Sequence, residues 1–457
     1  MKDRLQHITT NLETPDRRAF CSYLASSMLG VTAAGLVSGC GKNGKGVAVV
    51  DQANIVGDGS LSPEAGGLAD VPCNRATAKS VIYLYMGGGM THLDTLDPKE
   101  NSEVMMNSRA ISTNVDGMRL GHWFEKTAKH MDKAAIINSM NTTQGAHGPG
   151  NYFMHTSYTK RASITHPTMG SWIGRLSGPM NPDLPASVFV GADSVGGGAG
   201  FLPSRFGALG IGDPESGLKN SSRPKGVDER EFERRLELAS FLDTEFHDKY
   251  ALKEVQAYTD AYTDALRLMN SADLKGFSIE DEPKSMHELY GASKFGKGCL
   301  LARRLVEHGV RFVEVRSGGW DMHGNIWESL EKKMAELDRG LAALLQDLEL
   351  RGLLDETLIV LATEFGRSPA LSTQGGRNHH PRVFSTMLAG GGIRGGQVYG
   401  KSDERGHAVA ENKVSVPDFN ATIAYAMGLP YNEIVYSPSK RPFTVADTGT
   451  PVVDLFG

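Results

Sequence analysis

Val310-Arg-Phe-Val-Glu-Val315, the stretch 325–352, and Thr357-Leu-Ile-Val-Leu-Ala362 together decide the fold of this chain. The two short segments are dominated by apolar and β-branched residues, as strands buried on both faces are. Between them, apolar residues recur at helical spacing from Asn325 to Gly352, which predicts a long amphipathic helix. Strand, helix, strand at these lengths is a βαβ unit with a right-handed crossover. Working outward, Ser80-Val-Ile-Tyr-Leu-Tyr-Met86 is a further buried strand that ends at Gly87-Gly88-Gly89. Ala134-Ala-Ile-Ile137 and Ala186-Ser-Val-Phe-Val190 read the same way. Residues 293–308 predict a helix that Gly309 stops. The fold class is therefore α/β: a mainly parallel sheet with helices on both faces. Residues 226–290 mix charged and apolar residues at helical spacing and predict a helical insertion, flexible near 271–284.

Composition narrows the function. The chain has 457 residues, 40% hydrophobic and 22% charged, as an ordinary globular protein does, and a formal net charge of −5. That charge argues against a nucleic-acid partner, which would call for basic clustering. The first forty residues read as an export signal. Arg17-Arg18-Ala19-Phe20 precedes a segment, 21–37, that lacks Lys, Arg, Asp and Glu, and Val37-Ser38-Gly39-Cys40 follows. A basic pair, an apolar run and small residues at a cleavage point point to the twin-arginine export machinery. The ending also fits a lipobox, with acylation of Cys40. The expected location is periplasmic, or envelope-tethered by that lipid. Residues 41–78, rich in Gly, Ala, Asp and Ser, predict a flexible tether, and 79–450 form the folded domain. Once Cys21 leaves and Cys40 is acylated, Cys73 and Cys299 remain. An exported compartment permits a disulfide between them, although two unpaired thiols are the expectation.

Ligands of open parallel sheets bind beyond the carboxyl ends of the strands, and polar clusters fall there. Met90-Thr91-His92-Leu93-Asp94-Thr95-Leu96-Asp97-Pro98-Lys99 follows the first strand. Trp320-Asp321-Met322-His323 follows the 310–315 strand, and Thr363-Glu364-Phe365-Gly366-Arg367-Ser368-Pro369 the 357–362 strand, before Gly375-Gly376-Arg377-Asn378-His379-His380-Pro381. Thr142, Thr143, His147 and His155 lie on or after the segment beyond 134–137. Imidazoles with carboxylates are the ligand set of zinc, manganese or iron at hydrolytic sites. Arg367, Arg377 and Lys99 are candidates to hold an anionic substrate. Each piece has a plainer reading: Asp97 before Pro98 as a helix cap, Asp321 with His323 as a turn, His379-His380 as a surface pair.

Leu337 to Val360 resembles the late helix–strand unit of sulfatases and alkaline phosphatases, which leads there to an Asp-His metal pair. Gly-Gly-Gly-Met-Thr-His-Leu-Asp-Thr-Leu-Asp-Pro-Lys (87–99), Gly-Trp-Asp-Met-His-Gly (319–324), Thr-Glu-Phe-Gly-Arg-Ser-Pro (363–369) and Gly-Arg-Asn-His-His-Pro (376–381) are more specific. Their order over residues 78–430 resembles an exported sulfatase-like family, domain of unknown function 1501, in which twin-arginine signals are usual. The resemblance implies an alkaline-phosphatase-like fold, with Asp321 and His323 at metal-binding positions. It also implies that His379 or His380 is the last metal-binding histidine. Two departures stand out. Glu364-Phe365 replaces the Asp-His pair, and Phe cannot ligate. The signature Cys/Ser-x-Pro-x-Arg, source of the formylglycine nucleophile, is absent.

The leading expectation is an exported metal-dependent hydrolase of phosphate or sulfate esters, on an anionic small-molecule or glycan substrate. His92, Asp94, Asp321, His323, Glu364, His379 and His380 are its expected metal set, for zinc before manganese or calcium. His147 is the expected acid or base, Arg367 the anion clamp, and Thr91, Thr142 or Thr143 the nucleophile. A non-catalytic envelope-tethered binding protein on a degenerate fold is the competing expectation, with a mutase or transferase third.

Overall fold

The structure, a computed structural model, describes residues 76–191, 198–219, 221–223, 226–249 and 253–457. The export signal, Cys40, Cys73 and nearly all of the expected tether lie outside the described residues. The last tether residues, Thr77 and Ala78, already belong to the domain: both backbone N–H groups donate to the Ala426 carbonyl.

The sheet strands are β1 (Ser80–Met86), β2 (Ala134–Asn141), β3 (Ser187–Val190), β4 (Leu209–Ile211), β5 (Phe312–Ser317) and β6 (Thr357–Ala362). A two-stranded ribbon follows, β7 (Gly366–Leu371) with β8 (Arg377–His380), before β9 (Phe384–Ala389), β10 (Gln397–Tyr399) and β11 (Val414–Ser415) return to the sheet. The spatial order is β10-β2-β9-β6-β1-β5-β3-β4, with β11 pairing β2 as well. Every pairing is parallel except those of β9 with β2 and β6. The mainly parallel sheet expected from the sequence is therefore present.

β1 lies at the centre because it is apolar or aromatic along almost its whole length, and all seven of its residues are buried. Alternation sends Ile82, Leu84 and Met86 into one core, and Val81, Tyr83 and Tyr85 into the other. The helices are α1 (His147–Thr156), α2 (Met169–Ser177), α3 (Glu229–Lys249), α4 (Lys253–Asn270), α5 (Lys284–Tyr290), α6 (Lys294–Glu307), α7 (Ile326–Leu350) and α8 (Val416–Ala426). Helices α6 and α7 cover the first face; α2 and α8 contribute Trp172, Ile173, Phe419 and Ile423 to the second. Ser293 caps α6 by accepting from the Gly296 N–H at 3.0 Å, and Gly309 (φ +95°) follows its end.

Three expectations move. β5 begins two residues late, because Val310 still donates to the Leu305 carbonyl of the preceding helix. The stretch 271–284 is ordered rather than flexible: Ser271 caps a 3-10 turn, Ala272–Phe277, with Phe277 and Ile279 buried. Asp273 pins that turn to Asn181 at 2.7 Å and His308 at 2.9 Å. Asp97 caps no helix: it is buried and takes bonds from Lys99 at 2.9 Å and Ser402. Cys299 is buried and unpaired among the described residues, and burial pushes its thiol up. Among the described residues no helix is long and apolar enough to cross a membrane.

Because β1, β2, β5 and β6 run the same way, Met86, Asn141, Ser317 and Ala362 end at one edge of the sheet. The loops 87–89, 142–146, 318–325 and 363–365 meet there.

Candidate metal centre

The loop after β5 is anchored by Trp320, which is buried and whose backbone N–H donates to the Gly87 carbonyl at 3.3 Å. Gly88 makes this approach feasible. It has φ +125°, and a Cβ there would lie 2.5 Å from the backbone N of Asp321. Glu364, at the end of β6, is fully buried, so its charge needs local donors. Its Oε1 accepts from the Gly88 N–H at 2.9 Å and lies 2.7 Å from Nδ1 of His147, the first residue of α1. Its Oε2 accepts from Tyr85 Oη at 3.0 Å and Thr363 Oγ1 at 3.2 Å.

Asp321 is the hub. His323 Nε2 is 2.9 Å and His379 Nε2 3.2 Å from its Oδ1, and His147 Nε2 is 3.2 Å from its Oδ2. The outer nitrogen of each ring is engaged elsewhere. His379 Nδ1 lies 2.8 Å from the Gly145 carbonyl, which can only accept, so Nδ1 carries the proton. His323 Nδ1 lies 3.3 Å from Asn378 Oδ1, and His147 Nδ1 faces the Glu364 carboxylate. With the ring proton of each on Nδ1, three Nε2 lone pairs face one carboxylate. In those tautomers the pair on His323 and His379, 3.0 Å apart, has no proton between them. His147 Nε2 is buried without a hydrogen-bond partner, since its approach to Asp321 lacks hydrogen-bond geometry. Converging lone pairs repel unless a cation joins them. The donor atoms of His147, Asp321 and His379 lie within 4.8 Å of one another, and nitrogen and oxygen donors of this kind suit zinc. Holding each ring by its outer nitrogen is also how metal-binding histidines are oriented. The residues fit a divalent metal.

The family model described as "Protein of unknown function (DUF1501)" matches residues 78–456. The chain belongs to the DUF1501 family. No curated protein matches it. Among solved structures, the PsFucS1 sulfatase from Pseudoalteromonas sp. is similar at 15% identity and TM-score 0.41, over 82% of this chain and 73% of that one. A protein of the alkaline phosphatase superfamily from Vibrio parahaemolyticus has 9% identity and TM-score 0.36, over 78% and 69%. The lipoteichoic acid synthase LtaP from Listeria monocytogenes has 9% identity and TM-score 0.36, over 82% and 75%. At such scores the chemistry has to be argued from the site.

In this DUF1501 protein Arg367 is bound inside the loops rather than presented to an anion. It is 1% exposed and donates to the carbonyls of Gly89 and Arg377 at 2.9 Å each, to that of Gly88, and to Asp321 Oδ1 at 2.5 Å. Burial works to raise the Asp321 carboxyl, but the hydrogen bond and charge of Arg367 hold it well below the usual carboxylate range. The candidate ligand oxygen is thus ionised at neutral pH. Phe365 is fully buried, with its ring centroid 5.1 Å from that of His147 and 4.7 Å from that of His379.

The other expected residues lie apart from this cluster. Asp94 is buried and saturated by Arg377 at 2.8 Å, Thr91 Oγ1 at 2.7 Å and Ser108 Oγ at 2.7 Å. Thr91 and Arg377 are thereby committed too, and Lys99 pairs with Asp97. His380, on the opposite face of β8 from His379, lies 2.7 Å from the His407 carbonyl. Thr142 and Thr143 bond to Gln144. His155 pairs with the buried Glu314 at 3.0 Å. His147, expected as an acid or base, lies in this cluster with Nε2 facing Asp321. Three supports escaped sequence reading: Tyr85, Asn378 and the Gly145 carbonyl. Asn378, beside His379 in a quoted motif, was the one with a signal.

His92 is buried, with Nε2 3.0 Å from the Gly406 carbonyl. Desolvation is the main cause that lowers it, to about 3. The unfolded chain, with an ordinary histidine near 6.5, therefore binds the extra proton first as pH falls. Stability is lost from about pH 6.5 down to about 3, at up to ~1.4 kcal/mol per pH unit. Between pH 7 and pH 5 His92 is expected to account for about 2 kcal/mol. Urea unfolding of the protein and of His92→Gln at both pH values tests this. A pH-dependent loss of equal size in the two proteins contradicts it.

Proposed function

We propose that this protein is an exported, metal-dependent hydrolase of phosphate or sulfate esters. The observation that carries the reading is the convergence of His147, His323 and His379 Nε2 on the Asp321 carboxylate. His147, Asp321, His323 and His379 would hold the ion, zinc before manganese or calcium. A bound divalent metal supplies charge stabilisation for an ester oxygen and a water acidic enough to attack at neutral pH. Glu364 fixes His147 through Nδ1, and Arg367 keeps Asp321 ionised and in place. Phe365 keeps water from the inner side of the two imidazoles. On the outer side, an open groove of about 600 Å³, lined by His323, Leu371, Ser372, Thr373, Gln374 and Asn378, offers an approach without charged residues beyond the histidine. With Thr91 bound to Asp94 and Thr142 and Thr143 serving a turn, water is the nucleophile in this reading.

Arg17-Arg18 and the lipobox at Cys40 support delivery through the twin-arginine machinery and tethering to the envelope. A protein folded before export can take its metal in the cytoplasm and keep it. Metal analysis of the purified protein, followed by a panel of phosphomonoesters, phosphodiesters and sulfate esters, tests the proposal. At least one transition metal per chain and turnover of one ester class are expected, both lost in His323→Ala. A metal-free protein, or turnover indifferent to His323→Ala, sinks it. Phe365, in place of a ligand, favours the non-catalytic binding protein as second reading, and stoichiometric metal with no ester turned over selects that.

A further inference from the structure

The cations expected to hold an anion are all spent: Arg367 on the loops, Arg377 on Asp94, Lys99 on Asp97. Three other cations are not. A pocket of about 190 Å³ opens at the carboxyl ends of β3 and β5, and Lys294, Arg316 and Lys333 line it, with Glu336 as the one carboxylate among the described lining residues. Arg316 is half-buried, with its guanidinium 5.7 Å from the Tyr85 ring centroid. Among the described residues its side chain has no hydrogen-bond acceptor and no ion pair. A guanidinium carries five N–H donors in a fixed fork, and half-burial without an acceptor leaves them directed at whatever fills the pocket. Lys294 likewise has no ion pair among the described residues, and Lys333 approaches Glu336 only at 3.9 Å. The described lining residues therefore carry three positive charges against one negative. The amino end of α6, where Lys294 and Phe295 sit, adds its partial positive charge.

We infer that this pocket binds an oxyanion of the sulfate or phosphate type, in a site separate from the metal ligands. The fork of Arg316 and the two ammonium groups match such a group, which offers acceptors in several directions. The pocket shares loops with the metal centre. Arg316 Nε lies 3.3 Å from where a Gly87 Cβ would be, and Lys333 Cε 3.1 Å from that of Gly319, two residues before Asp321. The anion is thus either free in solution or a second anionic group on the molecule whose ester faces the metal.

The experiment uses the purified full chain, treated with chelator so that no metal-borne anion binding intervenes, and titrated with inorganic sulfate at constant ionic strength made up with chloride. Saturable binding and a rise in Tm with sulfate are expected. Arg316→Met is expected to weaken binding about tenfold. Lys294→Met with Lys333→Met, at an exposed and a partly exposed position, is expected to do the same. His323→Ala is expected to leave it unchanged. A sulfate response equal to that of chloride, or one unaffected by both sets of variants, or one abolished by His323→Ala, overturns the proposal. Ester turnover plays no part in these readouts, so failure here is distinct from failure of the hydrolase reading. With metal restored, a disulfated disaccharide separates the two sources. Binding tighter than inorganic sulfate, and weakened by both Arg316→Met and His323→Ala, places the anion on the substrate. Weakening by Arg316→Met alone supports a free anion.

Discussion

Asp321→Ala is expected to lower divalent-metal affinity by at least about 100-fold, while His380→Ala leaves it unchanged. Losing even an outer residue that orients a ligand typically costs 10- to 100-fold, and Asp321 is the carboxylate on which three imidazoles converge. A hundredfold corresponds to about 2.7 kcal/mol. The loss should also appear as stability, because metal present at 100 times its Kd stabilises the folded state by about 2.7 kcal/mol. The adjacent histidine is the control. His379 Nε2 lies 3.2 Å from Asp321, whereas His380 Nε2 lies 2.7 Å from the His407 carbonyl. Competition with a chromophoric chelator measures both variants on the same scale. Equal losses from the two substitutions, or stoichiometric metal in Asp321→Ala, would mean that the ion sits elsewhere.

The largest effect on stability is expected from Arg377→Met, at about 3–5 kcal/mol. Arg377 and Asp94 are both fully buried and meet at 2.8 Å, 283 residues apart in the chain. Removing the guanidinium leaves a buried carboxylate with hydroxyl donors but no counter-charge, and frees the Val104 carbonyl that Arg377 also serves at 2.7 Å. A loss of that size is a large share of the 5–15 kcal/mol that holds a domain together. Adding Asp94→Asn should cost less than the sum of the two single changes, since a neutral amide no longer needs the arginine. Urea midpoints of the two single variants and the double variant test this. A loss below about 1 kcal/mol in Arg377→Met would show that the pair contributes little.

These two predictions show where sequence reading succeeds and where it stops. β6 occupies the expected 357–362 because a continuous apolar run is bounded by Glu356 and by Thr363, the first residue of the polar loop. β5 slipped by two, since Val310 is as apolar in a helix end as in a strand. The His379-His380 pair was ambiguous for a geometric reason. Neighbours on a strand face opposite sides, so one joins the centre, and which one depends on the register of β8 against β7. His92 and Asp94 have the composition of ligands, yet each meets its partner through a contact some 280 or more residues away in sequence.

The βαβ framework, the mainly parallel sheet and the edge at which polar loops gather are legible in the chain alone. Those features are written in local periodicity, which records burial one element at a time. Packing of distant segments is what sets Asp321, His147, His323 and His379 face to face and makes Arg367 and Arg377 interior braces. It also left Arg316, Lys294 and Lys333 as the cations around a pocket. A buried charge takes whichever partner the packed chain brings within reach, and that choice is made between segments hundreds of residues apart.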